Sequence, residues 1–159
     1  MIKAIVYESK AGHTKRYAEM LSDKINVKVM SLKEAKKELK GNDEIVFLGW
    51  VCATKIKGLR KAKRYNIKCV GAVGIYPKEN TYTDSLAKSN DVDEKLLYLR
   101  GGIDFDKLSK LTKSFFNWIA KMMKIDNKPE NKELIELFEY GKDFVDEANL
   151  DEMVEYLAK

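Results

Sequence analysis

Between an apolar run and an amphipathic one lie six residues, Ser9-Lys10-Ala11-Gly12-His13-Thr14, that carry the groups an anion needs. The hydroxyls of Ser9 and Thr14 can donate hydrogen bonds, and Lys10 brings a formal charge. Gly12 permits a tight backbone turn. A helix starting near Thr14 would aim its first amides, and the positive end of its dipole, into the same space. The ligand such donors suit is a phosphate monoester. The same residues also suit a plain helix cap with nothing bound, and the loop alone does not choose between them. It is not a Walker A loop, because no Gly-Lys-Ser/Thr follows at the required distance. It is not a dinucleotide fingerprint either, because it holds a single glycine.

The elements that must position this loop follow from hydropathy patterning. Ile2 to Glu8 is a continuous apolar run rich in branched residues, the mark of a strand buried on both faces. Tyr17, Ala18, Leu21 and Ile25 recur at helical spacing from Thr14 onward. Val27 to Met30 is a second strand, and Ser31 caps a brief helix that Gly41-Asn42 stops. Further strands are expected over Glu44–Val51, Asn66–Pro77 and Glu94–Ile103, with a short basic helix over Thr54–Arg64. Between Lys78 and Asp93 no periodicity assigns an element. Helices are expected over about Asp104–Ile125, Glu130–Tyr140 and Asn149–Lys159. Strands alternating with helices imply a parallel sheet covered on both sides, here in a single domain spanning 1–159.

Composition narrows the function classes. The chain has 159 residues, 45% hydrophobic and 35% charged, with a net charge of +5. That charge permits an acidic partner or membrane surface without requiring one. No apolar run approaches the ~20 residues that cross a bilayer, and Met1 to Ser9 lacks the pattern of a signal peptide. Cys52 and Cys69 have no metal-ligand spacing, and the one histidine, His13, stands in no sequence motif for zinc or nucleophilic chemistry. A reduced, cytoplasmic setting is the natural expectation. Lys55, Lys57, Arg60, Lys61, Lys63 and Arg64 follow no nucleic-acid motif and read as a solvated helix face.

The strand, the loop of form Ser9-x-x-Gly12-x-Thr14 and the helix after it resemble the opening of the flavodoxin-like family, whose loop holds the phosphate of FMN. Ala11 departs from that pattern, since a hydroxyl is usual there. The resemblance implies a flavodoxin-like three-layer α/β sandwich with a five-stranded parallel sheet of order 2-1-3-4-5, and a long amphipathic helix after the fifth strand. It makes Ser9, Lys10, Ala11, Gly12, His13 and Thr14 the phosphate loop. Trp50, Val51, Cys52, Ala53 and Thr54, with Tyr76, Pro77 and Lys78, stand where the family flanks its flavin ring. Trp50 or Tyr76 could stack on that ring, and backbone groups from Cys52 to Thr54 could reach its polar edge. Trp50 serves equally well as a core aromatic at a strand end. Within the family, the chain is most similar to the flavodoxin-domain group that includes menaquinone-dependent protoporphyrinogen IX dehydrogenase. That likeness rests on the phosphate loop, on "YLRGGIDFDKLSKLTKSFFNWIAKMM" and on "GKDFVDEANLDEMVEYL".

Spaced at ~100° per residue, the helix expected over 104–125 divides into two faces. Leu108, Leu111, Phe115, Phe116, Trp118, Ile119, Met122 and Met123 share about half its circumference, with Lys110, Lys113, Asn117, Lys121 and Lys124 opposite. The ordinary expectation is that the apolar half packs on the core, with Asp104 and Asp106 in the first turn. A ligand lip, a dimer contact or a seat on an anionic membrane are the functional alternatives. The expectation for function is an FMN-binding oxidoreductase in which no side chain stands out as a catalytic acid or base. The resemblance implies a porphyrinogen substrate and a quinone acceptor. An FMN-dependent electron carrier and a flavin-free interaction module remain alternatives.

Overall fold

The computed structural model describes residues 1–159 and divides into two compact units, residues 1–101 with 145–159, and residues 102–144. The first unit holds five parallel strands: β1 (Ala4–Glu8), β2 (Val29–Ser31), β3 (Glu44–Cys52), β5 (Asn66–Gly74) and β6 (Lys95–Arg100). They lie in the order β2-β1-β3-β5-β6, while the two-residue β4 (Lys55–Ile56) folds back antiparallel on β3. Setting β4 aside, this is the expected 2-1-3-4-5 arrangement. The chain is an α/β fold of flavodoxin type.

The apolar runs produce this sheet because strands covered on both faces have no polar side to present. One face packs Val6, Phe47, Val70 and Tyr98 against Leu32, Ala35, Leu59 and Leu86. The other packs Ile5, Leu48, Cys69 and Leu99 against Tyr17, Leu21, Leu150 and Met153. Those covers come from α1 (His13–Ile25), α2 (Leu32–Glu38), α3 (Leu59–Ala62), α4 (Asn80–Ser89) and α7 (Asp151–Leu157). Ser31 caps α2 as expected, and Glu34 closes a reciprocal capping box with it.

Several boundaries differ from expectation. The basic stretch 54–64 is not one helix, because Lys55–Ile56 joins the sheet edge and Gly58, with φ of 83°, turns the chain before the four-residue α3. The polar stretch after Lys78 is α4, which buries little beyond Leu86 and so shows no clear periodicity. The fifth parallel strand ends at Arg100, and Gly102 at φ 131° starts a separate strand, β7 (Gly102–Ile103).

The second unit pairs β7 with β8 (Lys142–Asp143) and packs α5 (Lys110–Asp126) on α6 (Lys132–Tyr140). Asp104 and Asp106 do not open α5. They belong to a short 3-10 segment, and the helix begins only where the Ser109 hydroxyl accepts the Thr112 amide at 3.2 Å. No helix of the chain is long and apolar enough to cross a membrane.

Candidate functional site

In open parallel sheets, ligands bind beyond the carboxyl ends of the strands, where the strand order reverses. Here the reversal falls between β1 and β3, so the loops after these two strands flank it. The first is residues 9–14. Gly12 takes φ 106° and is the residue at which α1 begins, a conformation that any other residue would adopt at a cost. Its amide donates to Ser9 Oγ at 3.1 Å, and its carbonyl accepts the Arg16 amide at 3.0 Å. No side chain caps α1. The plain-cap alternative for Ser9 and Thr14 therefore does not describe this loop. Ser9 is used to shape the turn, and Thr14 is almost fully buried beneath it, at 1% exposure.

The second loop is the β3–β4 hairpin. Ala53 at its tip adopts a left-handed φ of 54°, and Cys52, Ala53 and Thr54 are exposed. Asn90, at the end of α4, fastens it: its side chain accepts the Ile56 amide at 2.9 Å and donates to the Thr54 carbonyl at 2.8 Å. Gly49 lets the strands of the hairpin close, since a Cβ there would sit 2.5 Å from the Lys57 carbonyl oxygen.

Trp50 lies where the two loops meet. Lys10 Nζ stands 5.4 Å from the centre of its ring and Lys57 Nζ stands 5.9 Å away, both within cation–π range. The ring is half-buried. The core-aromatic alternative for Trp50 is thus replaced by a partly open indole with two ammonium groups on it. Val51, also half-buried, pairs with Ile56 in the hairpin.

The third expected loop, after β5, is built around tyrosines. Tyr76 is 41% exposed and meets Tyr82 edge-on at 5.4 Å, and Tyr82 meets Tyr98 edge-on at 5.3 Å. The Tyr98 hydroxyl donates to the Tyr76 carbonyl at 2.9 Å, and burial holds that hydroxyl well above the ordinary phenol range. Pro77 and Lys78 are exposed, and Lys78 is drawn to Glu152 at 2.7 Å. From the last parallel strand, Arg100 Nε donates to the Ile75 carbonyl at 3.2 Å, which ties two strand ends together. A Cβ on Gly101 would lie 3.3 Å from His13 Cβ, so this strand end closes on the start of α1.

Of residues 9–14 the structure brings Lys10 over Trp50, and it sets Tyr76 after another strand of the same sheet edge. Sequence reading missed Lys57, Tyr82, Tyr98 and Asn90. Lys57 follows the β3–β4 hairpin, Tyr82 and Asn90 belong to α4 and its end, and Tyr98 lies in β6, and their partners elsewhere in the chain left no local pattern to read. The bases of 55–64 are all exposed, as expected of a solvated face, although they do not share one helix, and several of them also make contacts. Lys55 and Lys63 donate to the carbonyls that end α4, Ser89 for the first and Asn90 and Asp91 for the second. No group of histidine, cysteine and acidic side chains could hold a metal ion.

A family model for the flavodoxin domain matches residues 4–131. Among solved structures, the chain is similar to one described as a flavodoxin from the domain Archaea, with 18% identity over 63% of this chain and 83% of that one, at a TM-score of 0.42. No curated protein sequence matches.

Proposed function

We infer that this chain, which belongs to the flavodoxin domain family, binds FMN through the 9–14 loop and serves as a flavin-dependent oxidoreductase. The observation that carries the reading is the junction at the sheet's reversal point. An uncapped helix start follows a left-handed Gly12, and the Lys10 ammonium reaches from that loop over Trp50 of the next. These residues fit a phosphate with an aromatic ring system beyond it. Ser9 Oγ accepts from Gly12 and keeps its own proton to donate. The amides and dipole of α1 favour the dianion. Ala11 contributes no hydroxyl, so the backbone and Lys10 carry more of the phosphate charge. Trp50 and Tyr76 supply flanking aromatic surface, and the Cys52–Thr54 backbone supplies polar groups at an exposed tip.

Bound flavin supplies the electron-accepting chemistry, and the chain supplies position and field. The finer reading is oxidation of protoporphyrinogen IX with a quinone acceptor. Its support is the resemblance of 98–123 and 141–157 to the flavodoxin-domain group that includes menaquinone-dependent protoporphyrinogen IX dehydrogenase. A reducing cytoplasm agrees with two free cysteines, one exposed and one buried. A second reading, an electron carrier to protein partners, is favoured by Lys10 and Lys57 on Trp50. Cations so placed raise the potential relative to an acidic carrier.

Titration of the apoprotein with FMN, followed by flavin fluorescence quenching with riboflavin as control, tests the first reading. Saturable binding of FMN and much weaker binding of riboflavin are expected, and equal affinity for both would remove the phosphate loop. Steady turnover of protoporphyrinogen by the loaded protein with a quinone present separates the enzyme from the carrier.

A further inference from the structure

Helix α5 carries two apolar faces where one would suffice to hold it. Phe116, Ala120 and Met123 share the side that meets α6, where the Phe116 and Phe138 rings approach to 5.2 Å and Lys124 pairs with Glu139. Leu111, Phe115, Trp118, Met122 and Ile125 recur at alternating steps of four and three, and so form a single ridge along the whole helix. That ridge is exposed: Leu111 by 83%, Phe115 by 54%, Trp118 by 57%, Met122 by 48% and Ile125 by 75%. Within it Phe115 and Trp118 stack on each other at 6.1 Å. An apolar surface of this continuity is not ordinary on a monomer.

Charge identifies what covers it. From Lys107 to Ile125 there is no acidic residue, in a chain with 25 of them, while lysine occurs at 107, 110, 113, 121 and 124. Lys107 is paired with Asp104, Lys113 lies over the Phe105 ring and Lys124 is held by Glu139. Lys110 and Lys121 form no ion pair, and helical spacing puts both along one rim of the ridge. A second copy of the chain would bring these lysines up without a carboxylate to meet them. A nucleic acid would set its phosphates against the apolar ridge. An anionic bilayer satisfies both features, because the ridge can enter the acyl boundary while the lysines reach the headgroup phosphates.

We propose that α5 docks the protein on an anionic membrane, lying in the plane of the surface with Leu111, Phe115, Trp118, Met122 and Ile125 inserted and Lys110 and Lys121 on lipid phosphates. At 17 residues, or ~25 Å at the usual helical rise, it lies on the bilayer and does not span it. The docking does not depend on flavin.

The test is co-sedimentation of the full chain with vesicles of phosphatidylglycerol and phosphatidylcholine, against phosphatidylcholine alone, with and without FMN. The expected result is partition onto anionic vesicles at least tenfold stronger than onto neutral ones, weakened by salt. Trp118→Ser should reduce it at least tenfold, and Lys110→Gln with Lys121→Gln several-fold. In a Trp50→Phe background, brominated lipid should quench the remaining tryptophan. Absence of partition onto anionic vesicles overturns the proposal, as does partition untouched by Trp118→Ser. A dimer that Trp118→Ser dissociates, with no vesicle binding, assigns the ridge to a second copy and also overturns it.

Discussion

The two tryptophans of this chain have opposite surroundings. Trp50 ends a buried strand and has an ammonium group from each of two loops over its ring. Trp118 stands mid-helix, 57% exposed, with only Phe115 stacked beside it. At the first, the chain supplies the indole with its partners, Lys10 from the loop after β1 and Lys57 from just beyond the β3–β4 hairpin that Asn90 fastens. At the second, the chain leaves the indole's partner to come from outside. One region is organised around its aromatic residue, while the other presents its aromatic residue, and an exposed side chain of that kind contributes to binding more than to folding.

Substitutions can break or sharpen that contrast. The largest effect is expected from Gly49→Ala, whose new Cβ would meet the Lys57 carbonyl at 2.5 Å and the Ile56 side chain at 2.8 Å. Overpacking against backbone should cost about 3 kcal/mol, read as a lowered denaturation midpoint together with altered Trp50 emission. Trp50→Ala should cost about 2 kcal/mol, since a half-buried indole loses contacts and two lysines lose their ring. If it costs nothing, the two tryptophans are not distinct. Tyr98→Phe should cost about 1 kcal/mol by orphaning the Tyr76 carbonyl. Trp118→Ser should change stability by no more than about 0.5 kcal/mol in the same unfolding assay. A larger loss there would mean that the ridge is structural after all.

A pH experiment probes the sheet behind the first region. Burial raises the Cys69 thiol from its ordinary 9.0 to about 12, so the folded state keeps a proton that the unfolded chain releases. The stability associated with this neutral thiol is complete below pH 9.0 and declines between there and about 12. Cys69→Ala should flatten that part of the alkaline profile. At pH 8 a thiol reagent should modify the exposed Cys52 and leave Cys69 untouched until the protein unfolds.

How much of this was legible depended on how local each cause was. The five parallel strands show as apolar runs because both of their faces are covered, and Gly12 could be placed from the strand and helix on either side. The hairpin strand β4 is two residues long and carries no periodicity, so its segment read as helix. Helix α4 buries mainly Leu86, too little to stamp a pattern on ten residues. The roles of Lys57, Tyr98 and Asn90 arise from partners far along the chain or from strand geometry. For α5 the sequence shows a wide apolar arc, but periodicity does not say which part is covered. Only the placement of α6 divides Phe116 and Ala120 from Leu111 and Trp118. Ser109, as the cap, also moves the helix start to Lys110, six residues past Asp104.

The Tyr17 hydroxyl donates to the Arg100 carbonyl and accepts from the Asn149 side chain at 2.7 Å. One side chain on the first helix thus marks both the exit of the chain toward residues 102–144 and its return. Because both ends of that excursion are fastened to the same point, a change in its length or content is expected to leave the strand register intact. The architecture is modular. Residues 102–144 could be exchanged for a short linker, leaving a free-standing sheet, and a lineage could refit the excursion for a new surface while inheriting the flavin-type scaffold unchanged.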